Sequence, residues 1–334
     1  MPQKYHHLVP RTYLSPWVYN KDSLSVRFRG ESAFKEKNRD NILGIKQYYS
    51  IIAGMPICNE SDTDLIFSPL KDKSVLIDGV LTSNTLEFNN RFGSFDNWII
   101  KNKDGSLAKK KDLKNKIENN RVLEIEDNWE SKYEGKWNRI RDIINQKVLN
   151  TRSKSISSFY KPYLCRMYTA MDWRGIQSNE HFHKGVKQVE NIAFGILDFE
   201  IPYSDRDLKF IKSPVEYFTH CALLKYYREF FENKGIISYL AKIYQNGTIK
   251  FYVADGTLGF FTSDNPAFVD CICDEKQKMG ILPISPKILM TIVAIPDTES
   301  GRFLIERIDN AMVRKVNGII QKNCVDLVIR PTNY

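Results

Sequence analysis

The chain has 334 residues, of which 42% are hydrophobic and 12% aromatic, so it carries enough apolar material for a packed core and is not a disordered chain. The formal net charge is +9. A basic balance favours polyanionic partners such as nucleic acid, although many lysine-rich chains have no such partner. The six cysteines contain no CxxC pair, which argues against a four-cysteine metal site and favours reduced thiols in a cytoplasmic protein.

No segment predicts membrane insertion or export. The longest apolar runs, such as residues 288–295, are far shorter than a bilayer span, and we therefore expect no membrane association. The N-terminus lacks an apolar signal region, so we expect no signal peptide and a cytoplasmic location.

The first hundred residues predict a small β element with short helices. "HHLVP" and "SLSVRFRG" have strand character, "RTYLSPWV" between them is typical of a helical turn that stops near Pro16, and "SVLIDGVL" (residues 74–81) is a short apolar strand or helix. We expect residues 1–100 to be mixed α and β.

The middle of the chain predicts helices. Trp129, Tyr133, Trp137, Ile140 and Ile144 recur at spacings of three and four, which indicates an amphipathic helix with an aromatic stripe. Segments within residues 155–175 and 216–235 are also helical in pattern. We therefore expect residues 101–240 to be mainly helical.

The pattern changes from residue 241 onward. "AKIYQNGTIKFYVAD" places Asn-Gly between two apolar runs, which is a strong hairpin signal. Further strands, a late helix near residues 308–323 and a terminal strand follow. The sequence thus predicts an α+β fold with a helical middle, a mainly antiparallel C-terminal sheet and a small N-terminal β element, folded as one unit over residues 1–334.

His6 and His7 stand side by side near the N-terminus. Successive side chains of a strand point to opposite faces, so one imidazole can enter a site while the other packs or orients it. A neutral imidazole binds metal, activates water or moves a proton. The pattern resembles the first strand of HNH nucleases, but the next histidine is His181, so that motif is incomplete. The alternative is a packed polar pair.

Two further stretches near the C-terminus carry candidate polar groups. Asp264 lies in "FTSDNP" with Ser263 and Asn265, where a strand runs into a turn; a carboxylate there suits catalysis or metal binding, and a turn-forming role is the alternative. Ser285 lies between two prolines, without the surroundings of a nucleophile. It is a candidate support for the Asp264 turn or for substrate.

Arg166 and Arg174 lie in an otherwise apolar helical segment, so each needs a partner. That partner is either a carboxylate such as Asp264 or a substrate phosphate. His181 and His183 are a weaker candidate for metal chelation, and so are Cys271 and Cys273, which share one face of a strand.

These stretches together resemble one bacterial family, domain of unknown function 4238, over nearly the whole chain. The matching positions are an HH-φ-φ-P-x-x-Y-L opening, an apolar helix with a late arginine, two turn motifs and a helical asparagine: His6, His7, Pro10, Tyr13, Leu14, Arg174, Thr262 to Pro266, Pro283 to Pro286 and Asn317. Met171 stands where the family has Gln. The resemblance implies a co-folded unit in which the N-terminal histidines and the SDNP turn meet, and relatives among mobile and phage-defence genes.

Two functional hypotheses follow. In the first, the protein is a metal-dependent nuclease-like hydrolase, an effector that acts on RNA or DNA. His6, His7, Asp264 and Arg174 would form its catalytic group, and His7 and Asp264 would hold a divalent metal such as Mg, Mn or Zn. Its substrate would be bound by the following residues: Arg11, Arg166, Ser263, Asn265, Ser285 and Asn317.

In the second hypothesis, the protein is a non-enzymatic sensor or interaction protein, and the same histidine, arginine and aspartate side chains form a buried structural network. The sequence leaves the substrate, the metal, the oligomeric state and the trigger open, as well as an enzyme that acts on a small metabolite.

Overall fold

The computed structural model describes residues 5–175, 182, 184, 200–272, 277–296 and 301–332. Contacts within the chain divide it into two compact units, one formed by residues 1–4, 46–128 and 198–228 and the other by residues 5–45, 129–197 and 229–334. The expectation of a single co-folded chain is not tested by this division and stays a prediction. No helix in the described ranges is both long enough and apolar enough to cross a membrane.

The described residues contain helices and mainly antiparallel sheets. The strands are β1 (Tyr5–His7), β2 (Ser23–Phe28), β3 (Lys35–Asn38), β4 (Gly44–Lys46), β5 (Ser74–Ile77), β6 (Val80–Thr82), β7 (Ile99–Lys101), β8 (Ser155–Ser157), β9 (Gly247–Ala254), β10 (Thr262–Ser263), β11 (Phe268–Asp270), β12 (Met279–Ser285), β13 (Ile288–Pro296), β14 (Arg302–Ile308) and β15 (Leu327–Arg330).

The helices are α1 (Arg11–Leu14), α2 (Glu60–Ile66), α3 (Thr85–Asn90), α4 (Lys110–Asn119), α5 (Glu124–Trp129), α6 (Gly135–Leu149), α7 (Lys161–Arg174), α8 (Pro214–Phe231), α9 (Gly235–Gln245) and α10 (Asn310–Asn323). A π-helical segment, Glu130–Glu134, joins α5 to α6. The predicted α+β class is confirmed.

The smaller unit builds its core between short helices and a three-stranded antiparallel sheet of order β6-β5-β7. The segment 74–81 forms a hairpin, and its turn residues Asp78 and Gly79 have φ values of 51° and 82°, as a tight hairpin turn requires. Arg228 of α8 donates hydrogen bonds of 2.7 and 2.6 Å to the two carboxylate oxygens of Asp62 on α2, which joins the two helices by a fork of charged hydrogen bonds.

The larger unit contains a six-stranded sheet of order β11-β12-β13-β9-β14-β8 and a four-stranded sheet of order β10-β15-β2-β3. The pair β9–β14 is parallel and the other pairs of these two sheets are antiparallel. Helix α10 packs its apolar side, with Val313, Val316 and Ile320, into the same core cluster as Val328 of β15. Sequence-distant segments therefore meet in the four-stranded sheet, since β2 is an N-terminal strand and β15 a C-terminal one.

The predicted Asn246-Gly247 hairpin is wrong. Helix α9 ends at Gln245, Asn246 is its C-terminal cap, and Gly247 begins β9. A Cβ at Gly247 would lie 1.9 Å from the carbonyl oxygen of Val293, so this glycine is required by the close approach of β13. The apolar run before Asn246 is thus helical because it packs as an amphipathic helix, and a local turn signal did not override that pattern.

Candidate functional site

The N-terminal histidines lie on β1, which pairs with β4. His6 is fully buried, and His7, on the other face of the strand, is partly exposed. The alternation of the strand therefore separates the two imidazoles as the sequence predicts. Of the two, His7 is the one that solvent or a ligand can approach.

The surroundings of His7 favour the neutral form of its imidazole. Burial lowers the pKa of His7, and the positive charge of Arg11 lowers it further. The backbone of Ile42 and the carboxylates of Asp40 and Glu134 raise the pKa of His7, but these effects are weaker. A neutral imidazole is the form that accepts a proton, so the environment is compatible with a base, and equally with a packed side chain.

Arg174, in the last turn of α7, has 2% of its surface exposed. Its guanidinium donates a hydrogen bond of 2.8 Å to Glu134 Oε1 and one of 2.5 Å to the backbone carbonyl oxygen of His7. It also stacks over the ring of Trp129, 4.6 Å from the ring centre. We call these four residues, Arg174, Glu134, Trp129 and His7, the Arg174 network. Glu134, rather than the predicted Asp264, supplies the carboxylate that Arg174 needs.

The π-helical segment places two members of the Arg174 network. Trp129 precedes this segment and Glu134 ends it, and the extra residue per turn rotates Glu134 relative to a regular helix. Gly135 follows, and a Cβ there would lie 3.1 Å from the carbonyl oxygen of Glu130. A side chain at Gly135 would therefore press on the wide turn, which explains a glycine inside a helical pattern.

Asp264 lies at the end of β10 with 1% of its surface exposed. Its Oδ1 accepts a hydrogen bond of 3.0 Å from the backbone N–H of Val325, and its Oδ2 accepts bonds of 2.6 and 3.1 Å from the N–H groups of Asp326 and Leu327. Burial raises the pKa of Asp264, and the three N–H donors oppose that rise. The carboxylate thus stabilises the turn that leads into β15. This is the turn-forming role that the sequence offered as the alternative to catalysis or metal binding.

Ser263 and Asn265 complete this turn. Ser263 Oγ donates a bond of 2.9 Å to the carbonyl oxygen of Asn265 and accepts one of 3.1 Å from its N–H, while Asn265 Nδ2 donates to the carbonyl oxygen of Asn323 at 3.0 Å. A Cβ at Gly175, just after Arg174, would lie 3.0 Å from Asn265 Oδ1. The SDNP turn therefore adjoins the end of α7, whose arginine contacts the backbone of His7.

The other predicted substrate-binding residues serve separate contacts. Arg11 pairs with Asp40 at 3.4 Å on the surface, and both side chains are about half exposed. Arg166 donates to the hydroxyl oxygen of Tyr133 at 2.9 Å and to a backbone carbonyl oxygen at 2.8 Å. Ser285 Oγ donates to Asn145 Oδ1 at 3.1 Å. Arg11 is therefore the one of these three with an exposed charge.

Asn317 of α10 is committed to the backbone. Its Oδ1 accepts a bond of 2.9 Å from the N–H of Phe261, and its Nδ2 donates one of 3.0 Å to the carbonyl oxygen of Gly259. Both halves of the amide are therefore used in fixing the segment before β10, and the substrate-binding role stays a prediction.

The predicted metal ligands receive no support from the described part of the chain. Within it, no group of three or more histidine, cysteine, aspartate or glutamate side chains could hold a metal ion. The weaker chelation candidates His181, His183 and Cys273 lie outside the described residues.

Sequence reasoning missed Glu134. The sequence also placed Trp129 and Tyr133 in an aromatic stripe but did not show that each contacts an arginine. The hydroxyl oxygen of Tyr133 accepts a hydrogen bond from Arg166, and the guanidinium of Arg174 lies over the ring of Trp129. The available signal was Gly135 next to an acidic residue inside a helical pattern. A glycine there indicates a backbone irregularity, and such irregularities are frequent at functional sites.

The comparisons place the chain in a family. A family model described as "Protein of unknown function (DUF4238)" matches residues 5–333. Because the match spans nearly the whole chain, this protein belongs to the DUF4238 family, as the sequence motifs predict. No curated protein matches the chain, and no solved structure matches it.

Proposed function

We propose that this protein is a non-enzymatic sensor or interaction protein, in which the residues predicted to be catalytic stabilise the fold. One observation carries the proposal: the carboxylate of Asp264 and the guanidinium of Arg174 are both buried, and their hydrogen bonds go to the protein itself. A group that acts on a substrate must reach it, and these two groups face backbone and side-chain partners of their own chain.

Buried charged groups of this kind specify one arrangement of the surrounding elements. Arg174 requires Glu134 and the His7 carbonyl at fixed positions, and Asp264 requires three successive N–H groups. Removal of one partner would leave the others buried without compensation, which costs about 3–5 kcal/mol for a buried ion pair. These buried hydrogen bonds support a structural role for Arg174 and Asp264. Such a role explains why two charged residues lie in apolar surroundings.

The test is a comparison of stability with activity. Wild type, His7→Ala and Asp264→Ala are purified, and thermal unfolding is followed with EDTA and with added Mg, Mn or Zn, alongside incubation with RNA and DNA. We expect no cleavage, no shift of the wild-type midpoint with metal, and a lower midpoint for Asp264→Ala. Metal-dependent cleavage by the wild type that Asp264→Ala loses while it unfolds like the wild type would contradict the proposal.

A nuclease-like hydrolase is the second candidate, and one observation favours it. His7 is partly exposed, its lowered pKa keeps it neutral, and the exposed Arg11 lies near enough to influence it. In this candidate His7 is the base and Arg11 contacts a phosphate of RNA or DNA. The role in phage defence or toxicity that the family resemblance implies belongs to this candidate.

The variant that separates the two candidates is His7→Ala, with Arg152→Ala as the control for loss of an unrelated exposed charge. Abolished cleavage at an unchanged unfolding midpoint favours the hydrolase, whereas a lowered midpoint without any cleavage by the wild type favours the structural role. We propose a cytoplasmic location for either candidate, because all five described cysteines are free thiols, and thiols persist in a reducing compartment.

A further inference from the structure

A groove in the larger unit lies between α10 and the end of β15. Its volume is about 740 Å³, and its lining includes Arg314 and Gly318 of α10, Phe261, and Arg330 at the end of β15. Sites for small organic ligands span about 300–1,000 Å³, so the groove has the size of a binding site. Neither Arg174 nor Asp264 lines it, so binding there would go beyond the proposed function and would not depend on it.

Three arginines surround this groove. Arg314 and Arg330 line it directly and are exposed. Arg27 of β2 joins them, because it donates a bond of 2.8 Å to Gln321, which also lines the groove. In the described part of the chain, none of the three forms an ion pair, so their charge is left uncompensated by carboxylates.

The ring of Phe34 contacts two of these guanidinium groups. The guanidinium carbons of Arg27 and Arg330 lie 4.9 and 4.3 Å from the centre of the Phe34 ring. Phe34 in turn makes an edge contact with Phe261, with ring centres 6.0 Å apart. Guanidinium planes fixed against aromatic rings are pre-positioned, and such planes and rings are the surfaces on which unpaired bases stack.

The acidic residue of the neighbouring strand β3, Glu36, does not line the groove. Glu36 lies opposite Ser25 of β2 in the strand register. Arg330 donates a hydrogen bond of 3.0 Å to the hydroxyl oxygen of Ser25. The Glu36 carboxylate accepts bonds of 2.5 Å from Ser23 Oγ and 3.2 Å from the hydroxyl of Tyr19. Helix α10 contributes Arg314 to the lining and contains no acidic residue, while its Lys322 pairs with Asp270 at 3.5 Å. The residues that line the groove therefore include two arginines and no carboxylate.

We propose that this groove binds single-stranded nucleic acid. The arginines contact phosphates, and a base stacks on Phe261, the aromatic residue that lines the groove. Both halves of the Asn317 amide bond the backbone, so this side chain is not available to read base edges. Gly318 lines the groove. A Cβ at this position would have no atom within 4 Å, which leaves room for the nucleic-acid strand.

The experiment is fluorescence anisotropy of the full chain with a labelled single strand of about 15 nucleotides, the upper range of site sizes. The variants are Arg314→Ala/Arg330→Ala, which removes charge, and Gly318→Trp, which fills the groove while placing a better helix former on α10. Arg152→Ala, an exposed charge elsewhere in the same unit, is the matched control. Circular dichroism shows that each variant is folded.

We expect the double variant and Gly318→Trp each to weaken binding by about tenfold and Arg152→Ala to leave it unchanged. The slope of log Kd against log salt should fall by about 1.4 in the double variant, since each phosphate contact on a single strand contributes about 0.7. Three results would overturn the proposal: no binding of the strand by the wild type, equal weakening by Arg152→Ala, or displacement of the strand by AMP at equal phosphate concentration, which would indicate a mononucleotide site.

Discussion

Asp264 is the residue at which the structural and catalytic hypotheses make the most different predictions. Its carboxylate accepts three hydrogen bonds from the N–H groups of Val325, Asp326 and Leu327. Asp264→Asn keeps the shape but replaces one acceptor oxygen by an NH₂ group, so at least one N–H faces another donor. Asp264→Ala removes every acceptor and leaves three N–H groups in a site with 1% exposure.

The magnitudes follow from the hydrogen bonds. A bond to a charged group contributes about 1.5–3 kcal/mol, so Asp264→Asn, which gives up one bond and the charge, should lose about 2 kcal/mol of unfolding free energy. Asp264→Ala gives up three, which amounts to at least about 4.5 kcal/mol, at the upper end of single-residue effects. Asp326→Asn is the control, because it keeps the backbone donor and changes an exposed side chain, so its effect should stay within about 0.5 kcal/mol.

Urea unfolding followed by tryptophan fluorescence measures these differences in the larger unit. Of the five tryptophans, Trp98 alone lies in the smaller unit, and the other four lie in the larger one with Asp264. The expected order of midpoints is wild type and Asp326→Asn highest, then Asp264→Asn, then Asp264→Ala. An Asp264→Ala protein with the midpoint of the wild type would refute the structural account of this carboxylate.

Three other changes test the same reasoning. The pKa of His7 is lowered by burial and by Arg11, so the unfolded state binds a proton before the folded state does as the pH falls below about 6.5. The wild type should therefore lose more unfolding free energy than His7→Gln between about pH 7.5 and 5.5. Equal losses of the two proteins in urea titrations would exclude this effect. Arg174→Met should cost about 3–5 kcal/mol, and Glu134→Gln added to it should recover part of the loss, as a double-mutant cycle would measure. Gly247→Ala should lower the thermal midpoint and prevent normal pairing of β9 with β13, and a midpoint equal to that of wild type would show that the backbone approach is looser than its geometry implies.

Alternation and helical spacing were sufficient for most of the fold. The β2 strand, the helix over residues 310–323 and the terminal strand all follow from apolar periodicity, because each packs one apolar face against a core. That His6 and His7 face opposite sides follows from the two-residue period of a strand, but the period does not say which of the two is buried. Such features depend on neighbours in sequence, and a single chain is enough to read them.

Features that depend on distant backbone could not be predicted in the same way. Asn246-Gly247 has the composition of a hairpin, yet the glycine is needed because any Cβ at that position would lie 1.9 Å from the Val293 carbonyl oxygen of β13, a contact across more than forty residues. The partner of Arg174 is Glu134 because a π-helical turn rotates that residue inward. The sequence indicated that Arg174 needs a partner, either a carboxylate such as Asp264 or a substrate phosphate, and the Asp264 carboxylate is occupied by backbone donors.

The arginines that form ion pairs differ in exposure from those that line the proposed groove. Arg174 is paired with Glu134, and Arg228 in the smaller unit, whose side chain is 12% exposed, is paired with Asp62, so each of these two guanidinium groups has a counterion inside its own unit. Arg314 and Arg330 are exposed, form no ion pair with any described residue and lie along one groove. Lys and Arg number 49 and Asp and Glu number 40, so the net charge of +9 means that nine cations have no acidic residue to balance them. In the proposed groove, an anionic partner would supply the counterions that Arg314 and Arg330 lack among the described residues.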